Sequence, residues 1–343
     1  MLKVADVPDP KVGPDEVLLA VRACGLNHVD VWTRRGIRGL KLDMPHVIGT
    51  DVAGVLAGVG RRVKGFRTGD RVVVNSGLSC GRCEFCRVGE ESLCPEFRIL
   101  GEHVDGGCAE FVAVPARNLY KIPARLKFED AAAASLTFLT AWRMLVTRAG
   151  VRRGDTVLIH GAGSGVSVAA VKIAKYKGAE VLVTSRSEWK LRRAREIGAD
   201  VLINSARRMF DEEVWRLTGR RGVDVVVDHV GPATWPQSLR SLKRDGRMVV
   251  CGATTGPIAE VDVRQLFWRQ LGIIGSTMAS QKEFEAVMRL VGQGRLKPVI
   301  HAVMPMSKAR EANEILEADE QFGKIVLVPD FERDDRSPRP KGL

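Results

Sequence analysis

From Thr156 onward the chain alternates short apolar runs with helix-length segments, and this alternation restricts the fold more than any other feature. Thr156-Val157-Leu158-Ile159 leads through a glycine turn into Val166 to Lys177, and Glu180-Val181-Leu182-Val183-Thr184 leads into Glu188 to Ile197. Val201-Leu202-Ile203 then precedes Asp211 to Leu217, and Val223-Asp224-Val225-Val226-Val227 follows. Near-continuous apolar strands separated by helices predict a parallel sheet covered on both faces. Before about Tyr120 the texture differs. Runs such as Glu16 to Val21 and Asp70 to Val74 sit between turns such as Val12-Gly13-Pro14-Asp15, which predicts a β-rich domain of short strands. Glu129 to Val146, rich in Ala, Leu and Thr and free of Gly and Pro, predicts a helix between the two regions. With 343 residues, 45% of them hydrophobic, the chain can fill two cores.

That apolar content excludes a disordered or collagen-like chain. The formal net charge of +12 raises a nucleic-acid reading, but the basic residues are spread along the chain, often beside acids. Lys190-Leu191-Arg192-Arg193-Ala194-Arg195-Glu196 and the mixed-charge tail after Phe331 read as solvated surface, so no nucleic-acid partner is expected. No apolar run approaches the ~20 residues that span a bilayer, so no membrane partner is expected either. Met1-Leu2-Lys3-Val4 opens without a signal-peptide apolar region, and we expect a cytoplasmic protein. Seven cysteines are too few, and odd in number, for a disulfide scaffold.

Four of them, Cys80, Cys83, Cys86 and Cys94, form a C-x2-C-x2-C-x7-C cluster. Thiolates so spaced suit tetrahedral zinc, and closed all-cysteine zinc sites are structural rather than catalytic. An iron–sulfur cluster is one rival, because Cys94-Pro95 resembles the end of a ferredoxin run, but that run closes with three intervening residues. A disulfide pair is the other, disfavoured in a reducing compartment. One structural zinc per chain is therefore expected. Cys24, Cys108 and Cys251 stand alone in sequence and read as small buried hydrophobes.

The glycine turn Gly161-Ala162-Gly163-Ser164-Gly165-Val166-Ser167 lies between a strand and a helix. Such a turn brings backbone N–H groups up to a dinucleotide pyrophosphate at the helix N-terminus. Gly161, Gly163, Ser164, Gly165 and Val166 are the expected contacts. Val166 stands where the pattern has its third glycine, with Ser167 the nearest small residue. The next strand ends Thr184-Ser185-Arg186-Ser187, with Lys190 one turn on, where an NAD site would carry an acid. Ser185, Arg186 and Lys190 suit the 2′-phosphate of NADP, with NAD as the alternative.

Taken together, these features resemble the medium-chain dehydrogenase/reductases related to zinc alcohol dehydrogenase, over residues 2–330. Gly49-Thr50-Asp51-Val52-Ala53-Gly54, Gly69-Asp70-Arg71-Val72, the four-cysteine lobe, Gly101-Glu102-His103 and the glycine turn carry the resemblance. It implies an α/β protein: a doubly wound Rossmann sheet plus a GroES-like β-rich domain. The expected division is residues 1–122 for the GroES-like catalytic domain, 123–296 for the cofactor domain, 297–330 for a return to the first domain and 331–343 for a charged tail. It further implies that His28 faces the cofactor phosphates and that Thr140 lies near the nicotinamide, with Gly252 and Ser276 in the same site. A homodimer or homotetramer joined at the sheet edge around Ile273-Ile274-Gly275 is implied as well.

The departures from that family are informative. A catalytic-zinc cysteine falls in Cys-Gly-Val-Cys-His-Thr-Asp, which here reads Cys24-Gly25-Leu26-Asn27-His28-Val29-Asp30. Asn27 therefore stands at one ligand position, Thr50 at the ligand histidine and Leu136 at the third. Amide, hydroxyl and aliphatic groups do not replace thiolate and imidazole at a tight zinc site. The Asn27 setting resembles the zinc-free quinone oxidoreductase branch, while the four-cysteine lobe is that of the zinc enzymes. We therefore expect NAD(P)H-dependent hydride transfer to an activated small molecule, a quinone or enone, with Asn27 and Thr50 donating to its oxygen. Two other readings stay open. One is alcohol or aldehyde dehydrogenation with metal held by a set such as His46, Asp51 and Glu102. The other is a non-enzymatic NADPH-binding protein.

Overall fold

The computed structural model describes residues 2–37 and 39–330; the charged tail lies outside the described residues. The chain packs as two compact units. One runs to Leu136 and resumes at Ala279, and the other is Thr137–Met278.

In the first unit the strand Glu16–Gly25 is the hub. Antiparallel partners flank it: Asp51–Val59, Phe111–Pro115 and, at its far end, Lys324–Val328. Ile300–Pro305 extends the sheet parallel to Lys324–Val328, and Arg71–Val74 with Leu119–Lys121 completes the opposite side. Val17, Leu19, Val21, Val52, Leu56, Val72 and Val112 fill its core. Val17, Leu19 and Val21 stand at alternate positions of Glu16–Gly25 and so share the face turned to that core, while Leu18 and Ala23 are buried on the other face.

Register positions the site. Gly25 pairs with both Val326 and Asp51, and the pairing continues as Leu26 N–H donates to Ile325 O at 2.9 Å. Counted on, this antiparallel register sets residue 27 beside residue 324 and next to the chain entering Asp51. Gly49, one residue before Thr50, has φ +110°, and a Cβ there would come within 2.6 Å of the Cys24 sulfur. Only glycine fits such an approach with that φ.

The second unit is a six-stranded, all-parallel sheet. Its order is Val201–Asn204, Glu180–Ser185, Thr156–Ile159, Val223–Asp228, Leu242–Val250, Gly272–Gly275. Chain order reverses between Thr156–Ile159 and Val223–Asp228, the switch point where ligands bind at strand carboxyl ends. Helices Gly165–Tyr176, Glu188–Glu196, Phe210–Leu217 and Trp235–Ser241 connect the strands. All strands and helices expected from Thr156 to Val227 are present, with ends shifted by at most a residue.

One expectation needs correction. The helix expected to reach Val146 is α-helical over Phe128–Trp142 and then widens, with Ala149 N–H reaching back to Met144 O at 2.8 Å. The compact units divide at 136/137 and 278/279. Polar contacts accompany that division: Ser135 Oγ donates to Val74 O (2.7 Å), Asn75 Nδ2 to Gln281 Oε1 (3.1 Å) and Arg125 to Gly292 O (2.8 Å). These tie the flanking helices to the first unit. Among the described residues no helix is long and apolar enough to cross a membrane.

Candidate functional site

Asn27, Thr50, Asp51 and Lys324 form one buried hydrogen-bonded cluster in the first unit. Lys324 enters from the strand Lys324–Val328 and donates to Leu26 O (2.6 Å), Asn27 Oδ1 (2.6 Å) and Asp51 Oδ2 (2.8 Å). An ammonium only donates, so the Asn27 atom facing it must be the oxygen. The amide nitrogen of Asn27 then donates to Thr50 Oγ1 (2.7 Å) and to Asp51 Oδ2 (2.9 Å). Asp51 Oδ1 accepts the backbone N–H of Leu136 at 2.8 Å. Positions 27 and 136 thus both bond Asp51, and Thr50 joins them through Asn27.

Two consequences follow. Both amide hydrogens of Asn27 are used inside the cluster, so the expectation that Asn27 donates to a substrate oxygen is corrected. Thr50 Oγ1 accepts from Asn27 and keeps its own proton. Asp30 fixes the surroundings, accepting Asn27 N–H (2.7 Å) and Gly49 N–H (2.9 Å) from full burial, which pushes its carboxyl up to about 7.

These residues do not fit a catalytic zinc. An ammonium already occupies the centre of the donor set, and the remaining donors are an amide, a hydroxyl and one carboxylate. The alternative metal set is not assembled either. His46 bonds Gly101 O (3.1 Å) and faces Asp105, while Glu102 lies beside His103. Among the described residues only Cys80, Cys83, Cys86 and Cys94 bring three or more ligand atoms together, all within 4.8 Å of one another.

That lobe fits zinc. Tetrahedral Zn–S bonds of about 2.3 Å set sulfurs roughly 3.8 Å apart, and Cys80–Cys86 and Cys83–Cys86 are separated by 3.9 and 3.4 Å. Backbone N–H groups of Arg82 and Cys83 point at the Cys80 sulfur and pull its thiol down to about 6. The other cysteines are not all isolated as expected. The Cys24 and Cys108 sulfurs touch at 3.7 Å: both lie against Gly49, and Cys108 N–H donates to Ile48 O at 2.9 Å.

The second unit fits a dinucleotide. Gly161 and Gly163 have φ +67° and +106°, and the helix starts at Gly165 with Ser164 capping Ser167 N–H. Val166 is half-buried, and Ser167, buried, donates to His160 O at 2.6 Å. Ser167 thus makes the close helix–strand contact that the missing third glycine would allow. Among the described residues the hydroxyls of Thr140 and Ser276, both expected cofactor contacts, are buried without a hydrogen-bond partner. Each is open to a bond from a ligand or an ordered water. Gly252 lies against the His229 backbone. At the end of Glu180–Ser185, Arg186 is exposed while Lys190 is buried with its ammonium 5.7 Å from the Trp189 ring. Arg186 is therefore the open cation of that pair. His28 opens the helix His28–Arg35 in the first unit, its ring 6.2 Å from Trp32.

Residues 13–124 match the alcohol dehydrogenase GroES-like domain and residues 165–293 the zinc-binding dehydrogenase family. A solved NAD-dependent alcohol dehydrogenase is 49% identical, with a TM-score of 0.91 and 94% of each chain covered. An NAD-dependent alcohol dehydrogenase of Saccharolobus solfataricus is 34% identical over 96% of each chain. An acryloyl-coenzyme A reductase of Sulfurisphaera tokodaii is 30% identical, covering 95% of this chain and 96% of its own. The chain is a medium-chain dehydrogenase/reductase. It is accordingly an NAD(P)-dependent oxidoreductase, and the non-enzymatic reading falls away.

Sequence reasoning missed Lys324 in this dehydrogenase/reductase. Its signal was present: a lone cation opening the apolar run Lys324-Ile325-Val326-Leu327 requires an acid partner if the strand is buried. It also missed the polar network beneath the glycine turn. His160, fully buried, bonds Thr184 Oγ1 (2.9 Å) and Ser238 Oγ (2.8 Å). His229 Nε2 lies 2.8 Å from Ser167 Oγ. Both histidines follow the carboxyl ends of the two strands at the switch point.

Proposed function

We propose that this enzyme reduces a carbon–carbon double bond conjugated to a carbonyl, an enone, enoyl thioester or quinone, using NADPH and no catalytic zinc. The observation that carries the reading is the Lys324 ammonium bound to Asn27 and Asp51 where a metal would need ligands. When bound, the reduced nicotinamide supplies a hydride to the carbon β to the carbonyl. Negative charge then develops on the carbonyl oxygen, and the Thr50 hydroxyl is the donor available to it. Water supplies the proton, at the α carbon of an enone or enoyl thioester and at oxygen in a quinone. A conjugated acceptor suits this site because its β carbon is already electrophilic. Simple alcohol oxidation does not, because nothing here lowers an alcohol's pKa as a metal would. The acryloyl-coenzyme A reductase relative supports this direction.

The exposed Arg186, for which no ion pair with another described residue is found, supports NADPH over NADH. One structural zinc belongs in the four-cysteine lobe. We infer a homodimer through the edge strand Gly272–Gly275, where Phe267 and Trp268 are 63% and 71% exposed beside Ile273. Alcohol dehydrogenation is the second reading because the similar proteins include ones that carry that name.

The test is NADPH oxidation against a panel of enones, enoyl thioesters, quinones and simple carbonyls, on protein whose zinc is counted. Turnover of conjugated acceptors at one zinc per chain is expected. Alcohol oxidation that needs a second, separately chelatable zinc would overturn the reading.

A further inference from the structure

We infer that Lys324, paired with Asp51, is a positioning residue that sets the direction of the Thr50 proton by locking the Asn27 amide in one of its two orientations. The inference rests on the reduction reading above and goes beyond it. An asparagine amide is nearly symmetric in shape, so its orientation is decided by its neighbours. Lys324 has three donors and spends them on Leu26 O, Asn27 Oδ1 and Asp51 Oδ2. Asp51 Oδ2 only accepts, and takes one Asn27 amide hydrogen at 2.9 Å. The other amide hydrogen must then go to Thr50 Oγ1 at 2.7 Å. A hydroxyl that accepts there cannot donate there, so its proton is directed away from Asn27 and is free for a substrate oxygen. Were the amide turned over, Oδ1 would face Thr50 and take that proton. The donor would be lost without removal of a single catalytic atom.

The contrast can be built. In the double variant Asp51→Asn/Lys324→Met the charge pair is removed together, so no buried charge is left unpaired. The new amide at position 51 can keep its oxygen on Leu136 N–H, the bond Asp51 makes at 2.8 Å. Its nitrogen then meets Asn27 at the position Oδ2 held, which calls for an acceptor and turns the Asn27 amide over. The double variant is expected to fold, to keep its KM for NADPH and to lose about 10²-fold in kcat on an enone, the worth of one oxyanion donor. Thr50→Val is expected to lose a similar factor. The decisive measurement is the triple variant, which should be no slower than Thr50→Val alone, since there is no proton left to misdirect. A structural role for Lys324 would instead multiply the two losses.

If the parent reduces an enone and the losses multiply, the lock is wrong and the reduction reading stands. If the parent reduces no conjugated acceptor, the reduction reading fails. The lock is then judged by hydrogen exchange of the Asn27 side-chain amide, read by NMR on selectively labelled protein. Slow exchange in the parent with fast exchange in the double variant supports it. Equal exchange in both overturns it.

Discussion

Lys324 Nζ lies 2.8 Å from Asp51 Oδ2, and the two side chains are 4% and 0% exposed. A charge pair so buried tolerates the loss of both members better than the loss of one, because a single survivor remains desolvated and unpaired. Lys324→Met alone should therefore cost about 3–5 kcal/mol in denaturant unfolding. Adding Asp51→Asn should recover much of that loss. Equal stability of the single and double variants would show that the two residues do not act as one buried pair.

Thr50 and Asn27 are separable by substitution. Thr50→Val should cut turnover of a conjugated acceptor by ~10²–10³ with little change in NADPH binding, whereas Thr50→Ser, which keeps the hydroxyl, should retain most activity. Asn27→Ala should also slow turnover, through the freed Thr50 hydroxyl and the unpaired Lys324 donor, and should lower stability as Thr50→Ser does not. Full activity in Thr50→Val would exclude the hydroxyl as the oxyanion donor.

The four-cysteine lobe should govern stability rather than chemistry. Cys86 approaches both Cys80 and Cys83, so Cys86→Ser removes a ligand from the centre of the set. Zinc content and thermal stability should fall together, while kcat on the surviving folded enzyme stays near the parent value. Retention of full zinc and full stability would refute the assignment.

The second unit was legible in sequence because its strands are buried on both faces and its turns are marked by glycine. Thr156–Ile159 and the helix from Gly165 follow from those local signals alone. The first site was half legible. Asn27 and Thr50 could be marked as departures from the ligand pattern by likeness, but the ammonium that bonds Asn27 comes from position 324, brought in by strand pairing across nearly three hundred residues. Local patterning cannot carry that register. The direction of the Asn27 amide is further out of reach, since it depends on Lys324 and Asp51 at once. The extent of the compact units is out of reach of local pattern for a similar reason: contacts such as Asn75–Gln281 hold the first one together, and their partners lie far apart in the chain.

Cofactor preference tests one exposed cation. Arg186 follows Ser185 at the strand end, and Lys190 is buried away from solvent. Arg186→Ala should weaken NADPH binding by one to two orders of magnitude, roughly the worth of a charge-assisted hydrogen-bond pair, and leave NADH binding nearly unchanged. Lys190→Ala should show a smaller difference between the two cofactors. Equal affinity of the parent for NADPH and NADH would remove the basis for this assignment.

His160 makes a prediction about pH whose sign can be worked out. Burial holds its imidazole down at about 4, against 6.5 for the free side chain, with Asp228 pulling the other way. Between those values the unfolded chain binds a proton that the folded chain does not. Stability from this group is therefore complete above about pH 6.5 and is lost as pH falls towards 4, by up to about 1.4 kcal/mol per pH unit. Asp30, raised to about 7 from a usual 3.8, acts oppositely: the folded state holds the extra proton, so its contribution grows as pH falls through that window. The whole-protein profile mixes these with the other shifted carboxyls, such as Glu102 and Glu213, and the difference between parent and His160→Gln isolates the histidine. Glutamine keeps a polar group towards Ser238, which His160 contacts at 2.8 Å, and does not titrate. The parent should lose stability from pH 6.5 to 4 more steeply than the variant in urea unfolding at fixed salt. Parallel slopes would mean that His160 is not held neutral in the fold.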